Sequence, residues 1–319
     1  MIKKYNQYIK ENIHSDIDPY GEENWDDENI TSFLSIAREL GGGQRRHPGN
    51  LPYDKITILS CHNKQLTNLD GIENLINLTH LDCSDNQLTS LNGIQNLTKL
   101  VSLNCKGNQL TSLNEIENLT NLTHLDCDYN RLTNLNGLEN LTKIENLNFS
   151  YNQLTSLRGI ENLTNIVLIR CYYSELTSLN GIENLTNLRV LDCSGNQLTS
   201  LESIRKLINL RSLSCYRNQL TSLKGIEKLI NLDKLICYHN QLKTLDGIKN
   251  LTNLIELYCS NNQLKTLDGI EYLTNLTDLS CWGNHFSENY KRDLIDYAEK
   301  RFFFRNLIPT AKKKIIIKV

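Results

Sequence analysis

The sequence predicts an α/β solenoid: stacked units with a parallel sheet on one face, 3-10 or irregular segments on the other, and helical caps at both ends. Three observations carry the prediction. Ten cysteines fall at 61, 83, 105, 127, 171, 193, 215, 237, 259 and 281; every gap is 22 except 127 to 171, which is 44, with Phe149 in the skipped slot. Aligned on Leu78–Lys99, apolar residues recur at unit positions 1, 4, 6, 11, 14, 17 and 20, here Leu78, Leu81, Cys83, Leu88, Leu91, Ile94 and Leu97. The register runs through eleven units, from Ile56 to about Tyr297. So strict a period means a quasi-one-dimensional array in which each unit stacks on its neighbours.

Taken from the N-terminus, residues 1–55 form a first region. Ile2–Ile13 suggests a weak helix, followed by the stretch 15–29 with seven acids and no base, which reads as a linker. Ile30, Phe33, Leu34, Ala37 and Leu40 lie at helical spacing before Gly41-Gly42-Gly43, a helix that would cover the open end of the first unit. The array itself occupies 56–286, its last unit merging into the cap. Within each unit, positions 4 and 6 show the period of two of a strand. Positions 11, 14, 17 and 20 recur every three, which suits 3-10 or irregular backbone better than an α-helix of period ~3.6. The region 287–319 supplies the C-terminal cap and tail. Ser287 caps a helix over Glu288–Arg301, with Tyr290, Leu294, Ile295, Tyr297 and Ala298 turned to the last unit, and Phe302-Phe303-Phe304 and Leu307-Ile308 closing the core. Residues 291–319 hold nine Lys/Arg against three acids; the terminal Lys312-Lys313-Lys314-Ile315-Ile316-Ile317-Lys318 reads as an edge strand or a disordered tail.

The repeat resembles the leucine-rich repeat, L-x-x-L-x-L-x-x-N-x-L, with Cys for the third Leu. The 22-residue unit, the Gly-Ile pair at positions 16–17 (Gly71-Ile72, Gly93-Ile94, Gly181-Ile182) and the L-x-x-L ending are similar to the subclass of bacterial internalins and the phosphatase-regulating leucine-rich subunit. That resemblance implies an arc with strands on its inner side. It also implies that the Asn column at position 9 (Asn86, Asn108, Asn130, Asn152, Asn196, Asn218, Asn240, Asn262, Asn284) is structural, its amides serving backbone groups where each coil leaves its strand. Lys64 and Ser174 break that column. Gly at position 16 suits a positive φ, and Glu115 and Ser203 depart from it.

The cysteines have no C-x₂₋₄-C pair to hold a metal, and in-register parallel strands keep their Cβ atoms too far apart for disulfides. Cys is therefore read as a small buried apolar residue, and a row of free thiols argues for a reducing compartment. Phe149 requires local bulging or smaller neighbours. The Asn-Leu-Thr triplets beginning at Asn96, Asn118, Asn162 and Asn184 are by-products of the repeat rather than glycan acceptors. The chain has no apolar run of ~18 residues to span a bilayer and no apolar leader segment after Lys3-Lys4. Cytoplasmic residence is expected.

Function is sought where the units differ, at positions 3, 5, 7 and 8, expected to be exposed. Aromatics gather there from the fourth unit onward. Tyr129, Tyr151, Tyr172 and Tyr173 are expected to form one strip with Arg170 beside it, extended by Tyr216, Arg217, Tyr238 and Tyr258. Tyr and Arg bring large contact area with a polar tip and dominate binding hot spots. Phe149, Ser174 and the unusual Ile166-Val167-Leu168-Ile169 run fall in the same units. The bland alternative is that the tyrosines merely stack along a solvated sheet. Catalysis is disfavoured: His80 and His124 lie two units apart, Asp82, Asp126 and Asp192 read as a solvated row, and no phosphate-cradling loop follows Gly41-Gly42-Gly43. The net charge of −2 gives no reason to expect nucleic acid.

The expectation is thus a non-enzymatic module that binds a protein or peptide on its concave face, without cofactor, metal or small-molecule substrate, and as a monomer. The alternative is a structural or assembly protein, or a host-directed effector, whose contacts are made by the caps or by self-association.

Overall fold

The computed structural model describes residues 55–293 and 316–318. Each unit contributes one three-residue strand, at positions 3–5, because only there do alternate side chains face one common core while both backbone edges find a neighbour. In order these are β1 (Ile58–Ser60), β2 (His80–Asp82), β3 (Ser102–Asn104), β4 (His124–Asp126), β5 (Asn146–Asn148), β6 (Leu168–Arg170), β7 (Val190–Asp192), β8 (Ser212–Ser214), β9 (Lys234–Ile236), β10 (Glu256–Tyr258) and β11 (Asp278–Ser280). A twelfth strand, β12 (Ile316–Lys318), pairs parallel to β11, with Asp278 opposite Ile316, so the edge-strand reading of the tail holds. The sheet is parallel, in sequence order, and the repeat strands pair with a constant offset of 22 residues, as in Ile58 opposite His80 and Leu257 opposite Leu279.

Positions 1, 4, 6, 11, 14, 17 and 20 form one continuous core along the array, nearly all of it fully buried. The coil side turns on 3-10 segments at Ile72–Asn74, Asn114–Ile116, Glu202–Ile204, Ile248–Asn250 and Ile270–Tyr272, as the period of three predicts. Where position 16 is glycine it is left-handed, for example Gly71 at φ 97° and Gly247 at φ 103°. Where it is Glu115 or Ser203, the 3-10 turn begins one residue earlier, at Asn114 and Glu202, so that no side chain has to take that conformation.

All ten cysteines are buried free thiols. Their sulfhydryls point along the array: Cys83 Sγ donates to the Asn104 carbonyl at 3.4 Å and Cys127 Sγ to Asn148 at 3.3 Å. Burial drives the thiols far above their usual range, Cys61 and Cys281 to about 12, and inner ones such as Cys83 and Cys105 are raised in the same direction. Thiolate is the reactive form. Burial thus keeps the ladder in its less reactive, protonated form. Phe149 is fully buried without a bulge: Phe149 N–H donates to the Arg170 carbonyl at 2.9 Å and β5 keeps its register with β6. The smaller Cys127 and Cys171 stand on either side of it in the column.

The Asn column joins the units. Asn196 Nδ2 donates to the carbonyls of Cys171, Cys193 and Ser194 at 2.9, 3.0 and 3.2 Å, and its Oδ1 accepts Leu176 N–H at 3.0 Å. Two of those four groups belong to the preceding unit. Ser174 is too short to reach the equivalent groups, and among the described residues its hydroxyl, though buried, has no partner. At the C-terminal end, residues 288–293 are helical, and Ser287 Oγ accepts Tyr290 N–H at 3.2 Å as a cap. Tyr290 packs on Phe286 and accepts Leu267 N–H on its hydroxyl at 2.6 Å. The expected N-terminal helices, the acidic stretch 15–29 and the cap residues beyond 293, from Leu294 to Ile308, lie outside the described residues.

Two substitutions test the joint. Asn196→Ala strands four backbone groups and is expected to cost about 3 kcal/mol, lowering the urea midpoint sharply. Ser174→Asn restores the missing amide and is expected to stabilise by about 1 kcal/mol in the same measurement.

Candidate functional site

Of the four variable columns, positions 3 and 5 lie on the strands and positions 7 and 8 in the turn that follows. That turn overturns part of the expectation. Position 7 is not uniformly exposed: Ser84, Asp128, Ser150, Ser194 and Ser260 are buried, because their side chains tuck beneath the turn. Ser194 Oγ, for instance, meets Ser214 Oγ at 2.8 Å. The bulky members of the column, Tyr172, Tyr216 and Tyr238, remain half-exposed. Position 3 has one departure too, Leu168, which is buried.

Position 8 is left-handed in all eleven units, at φ 50–54° for the eight non-glycine residues Asn63, Asp85, Tyr129, Tyr151, Tyr173, Arg217, His239 and Asn261 and at 65–69° for Gly107, Gly195 and Gly283. Asn, Asp and Gly tolerate that region; for other L-residues it costs roughly 1–2 kcal/mol. Three tyrosines in succession therefore occupy positions where the backbone prefers other residues.

Those three rings stack. Tyr129 and Tyr151 lie 4.1 Å apart at 17°, and Tyr151 and Tyr173 5.1 Å apart at 11°. Tyr172 stands edge-on to Tyr151 at 5.2 Å and to Tyr173 at 6.2 Å. A second stack, Tyr216 on Tyr238 at 4.6 Å, meets the first through Tyr173, edge-on at 6.5 Å. Gly195 makes room for this: a Cβ there would come within 2.6 Å of the Tyr173 ring. Tyr173 leans across the glycine so that its hydroxyl accepts Arg217 Nη1 at 2.8 Å, two units away. At the other end Lys106 Nζ sits 5.4 Å from the centre of the Tyr129 ring. The structure thus brings together Tyr129, Tyr151, Tyr172, Tyr173, Tyr216, Arg217 and Tyr238. Arg170 ends β6 close enough for its charge to act on Asp126 and Tyr172. Tyr258 belongs elsewhere: its hydroxyl donates to Glu256 at 3.3 Å, and Lys234, paired with Glu256 at 2.6 Å, lies 5.6 Å from its ring.

Beside the stack lies a feature the sequence reading did not single out. Asp128, 1% exposed, has an Oδ1 with no hydrogen-bond partner among the described residues. Its backbone N–H donates to Asp126 Oδ1 at 3.1 Å, and Asn148 Nδ2 donates to Asp126 Oδ2 at 3.3 Å. Burial, then the Asp126 charge, push the Asp128 carboxyl up to about 6, against the pull of Ser150, Lys106 and Asn148. Burial also raises Asp126, so this member of the position-5 row is not simply solvated. The buried serines at 84, 150, 194 and 260 were the available signal that an acid in this column would be desolvated. His80 and His124 each bond a neighbouring threonine hydroxyl through Nδ1, at 2.9 and 2.7 Å, and burial lowers both.

A parallel solenoid with recurring joints and a variable aromatic face defines the class of repeat modules that present an extended surface. The models "Leucine Rich repeats (2 copies)", at residues 98–140, 186–228, 208–250, 230–272 and 252–294, and "Leucine Rich Repeat", at 77–97, match more than half of the chain. The chain belongs to the leucine-rich repeat family and is of internalin-like type. It is similar to the functional domain of InlJ from Listeria monocytogenes, described as including a cysteine ladder, at 34% identity and a TM-score of 0.68 over 73% of this chain and 50% of that one. It thus spans about half the length of that domain. An LRR protein of Leptospira interrogans matches at 29% identity and TM-score 0.54, over 80% and 76% of the two chains. The Listeria monocytogenes internalin InlF matches at 25% and 0.55, over 74% and 83%. No curated protein matches. Leucine-rich repeat proteins are typically protein-interaction modules.

Asp128 gives this face a pH signature. The unfolded chain loses that proton near 3.8 and the folded chain near 6, so folding takes up a proton between these values and stability falls as pH rises through them. Two pKa units correspond to at most about 3 kcal/mol. Asp128→Asn is expected to leave stability near pH 3.5 unchanged and to raise the urea midpoint at pH 7.5, flattening the pH dependence between.

Proposed function

We propose that this chain is a non-enzymatic interaction module that binds a protein or peptide on the concave sheet face, with Tyr129, Tyr151, Tyr172 and Tyr173 at the centre of the contact and Arg170, Tyr216, Arg217 and Tyr238 around it. The observation that carries the reading is the placement of three consecutive tyrosines in the left-handed column. Their backbone cost, about 1–2 kcal/mol each, is of the same order as what their ring contacts with one another and with Tyr172 and Tyr216 return at roughly 0.5–1.5 kcal/mol apiece. Asparagine, aspartate or glycine serves the same backbone position without that cost, as at Asn63, Asp85 and Gly107, so tyrosine adds large amphipathic surface at no net gain in stability. Residues kept against the stability optimum are characteristic of binding surfaces. Tyr258, held in its own cluster with Lys234 and Glu256, extends the contact only for a ligand that reaches the tenth unit.

Tyr129 separates the two readings, because it is 46% exposed and stacks on one side only. Tyr129→Asn is expected to hold or raise the thermal midpoint while weakening capture of partners from a displayed peptide library at least tenfold. A large loss of stability with unchanged capture would show the stack to be purely structural. The combined change of Tyr129, Tyr151, Tyr172 and Tyr173 to Ala is expected to abolish capture while circular dichroism still reports the folded array.

A further inference from the structure

Resting on that reading, we infer that the ligand is a basic segment, and that a lysine or arginine side chain of it is anchored at the Asp126–Asp128 pair beside the Tyr129–Tyr151–Tyr172 wall. The geometry has three parts. Asp126, half-buried, is the surface carboxylate, and Asp128 lies directly behind it, its N–H on Asp126 Oδ1 at 3.1 Å. Asp128 is buried with an Oδ1 unpartnered among the described residues, although Ser150 and Asn148 hydrogen-bond its carboxyl; the arrangement costs free energy in the free protein, and a cation at Asp126 offsets it through charge. Tyr151 and Tyr172, edge to face at 5.2 Å, form an aromatic wall in the same units, and aromatic faces attract cations.

The chain's own cations show what this surface takes. Lys106 is drawn over the Tyr129 ring and Arg217 onto the Tyr173 hydroxyl, so the first stack is already bounded by a positive group at each end. Neither of them pairs with Asp128 Oδ1. Lys106 and Arg170 already act on the pair without balancing the acids of this face. Positions 3, 5, 7 and 8 of the eleven units hold seven acids against four Lys/Arg, and in units two to four Asp82, Asp85, Asp126 and Asp128 face Lys106 alone. A basic segment laid along these units would meet acid first and then the tyrosine strip. Such complementarity governs encounter rate and register as well as affinity.

The test uses the full chain and a random 12-residue peptide library displayed on phage, selected at low salt and counterselected against the four-Tyr-to-Ala variant. Recovered peptides are expected to share one lysine or arginine at a fixed offset from an aromatic or aliphatic residue. Replacing that residue by norleucine, or arginine by citrulline, is expected to weaken binding to the wild type about tenfold and binding to an Asp126→Asn/Asp128→Asn variant less than twofold. Raising NaCl should weaken the parent peptide and spare the neutral one. Because Asp128→Asn is expected to stabilise the fold, a loss of binding in that variant is not a loss of structure. Tyrosine-dependent peptides with no basic residue in common, or equal losses in both proteins, overturn the basic anchor and leave the interaction surface standing. No tyrosine-dependent peptide at all overturns both.

Discussion

Everything in this molecule depends on the amide at position 9. A coil that leaves a three-residue strand abandons several backbone carbonyls and an N–H inside the core, where each unpaired group costs on the order of 1–3 kcal/mol. One asparagine side chain serves four of them and spans two units in doing so, as Asn152 does for Cys127, Phe149 and Ser150 and for Leu132 N–H. The joint is therefore made of hydrogen bonds whose geometry repeats every 22 residues, and it forbids insertions. The leucines fill the space that this joint defines. Cysteine suits position 6 because it is small enough to stack in register and still offers a weak donor to the next carbonyl.

A joint so regular leaves little freedom elsewhere. The turn after each strand is locked, and with it the left-handed residue at position 8. Asn, Asp and Gly occupy that column where nothing else is asked of it, while Tyr, Arg and His occupy it in a block from unit four to unit nine, broken only by Gly195. That exception takes part in the block, since its missing Cβ lets Tyr173 reach Arg217. The aromatic strip is thus built from side chains placed against backbone preference and from one side chain left out.

Periodicity made the solenoid, the parallel order and the 3-10 coils legible from sequence, and the family resemblance the role of Asn, because each recurs through the array. The strip was legible for a related reason, since departures from a repeat stand out. What escaped was the direction of side chains just after the strand. Alternation alone makes position 7 look outward like positions 3 and 5. The turn breaks the alternation, so Ser150 and Asp128 point under it, and a desolvated carboxylate hides in a column that reads as surface. Phe149 is the reverse case: of the two accommodations its volume allowed, a bulge or smaller neighbours, the flanking cysteines supply the second and the register is unbroken.

Cost in such an array is local, because each unit contacts only its neighbours. Among the described residues, the two buried groups left unsatisfied on the sheet side, Asp128 Oδ1 and Ser174 Oγ, both fall within units four to six, under and beside the tyrosine stack. The joint into unit six also lacks its amide. The stretch that carries the aromatic surface therefore lacks ties that most units have. Low local stability is where ligands exert leverage, since whatever binds the folded form alone stabilises it by mass action. A cation seated at Asp126 and Asp128 removes the same desolvation penalty that an asparagine at 128 removes. The stabilisation gained from ligand and the stabilisation gained from that substitution therefore draw on one source and do not add, which ties the energetics of the fold to the chemistry of what it binds.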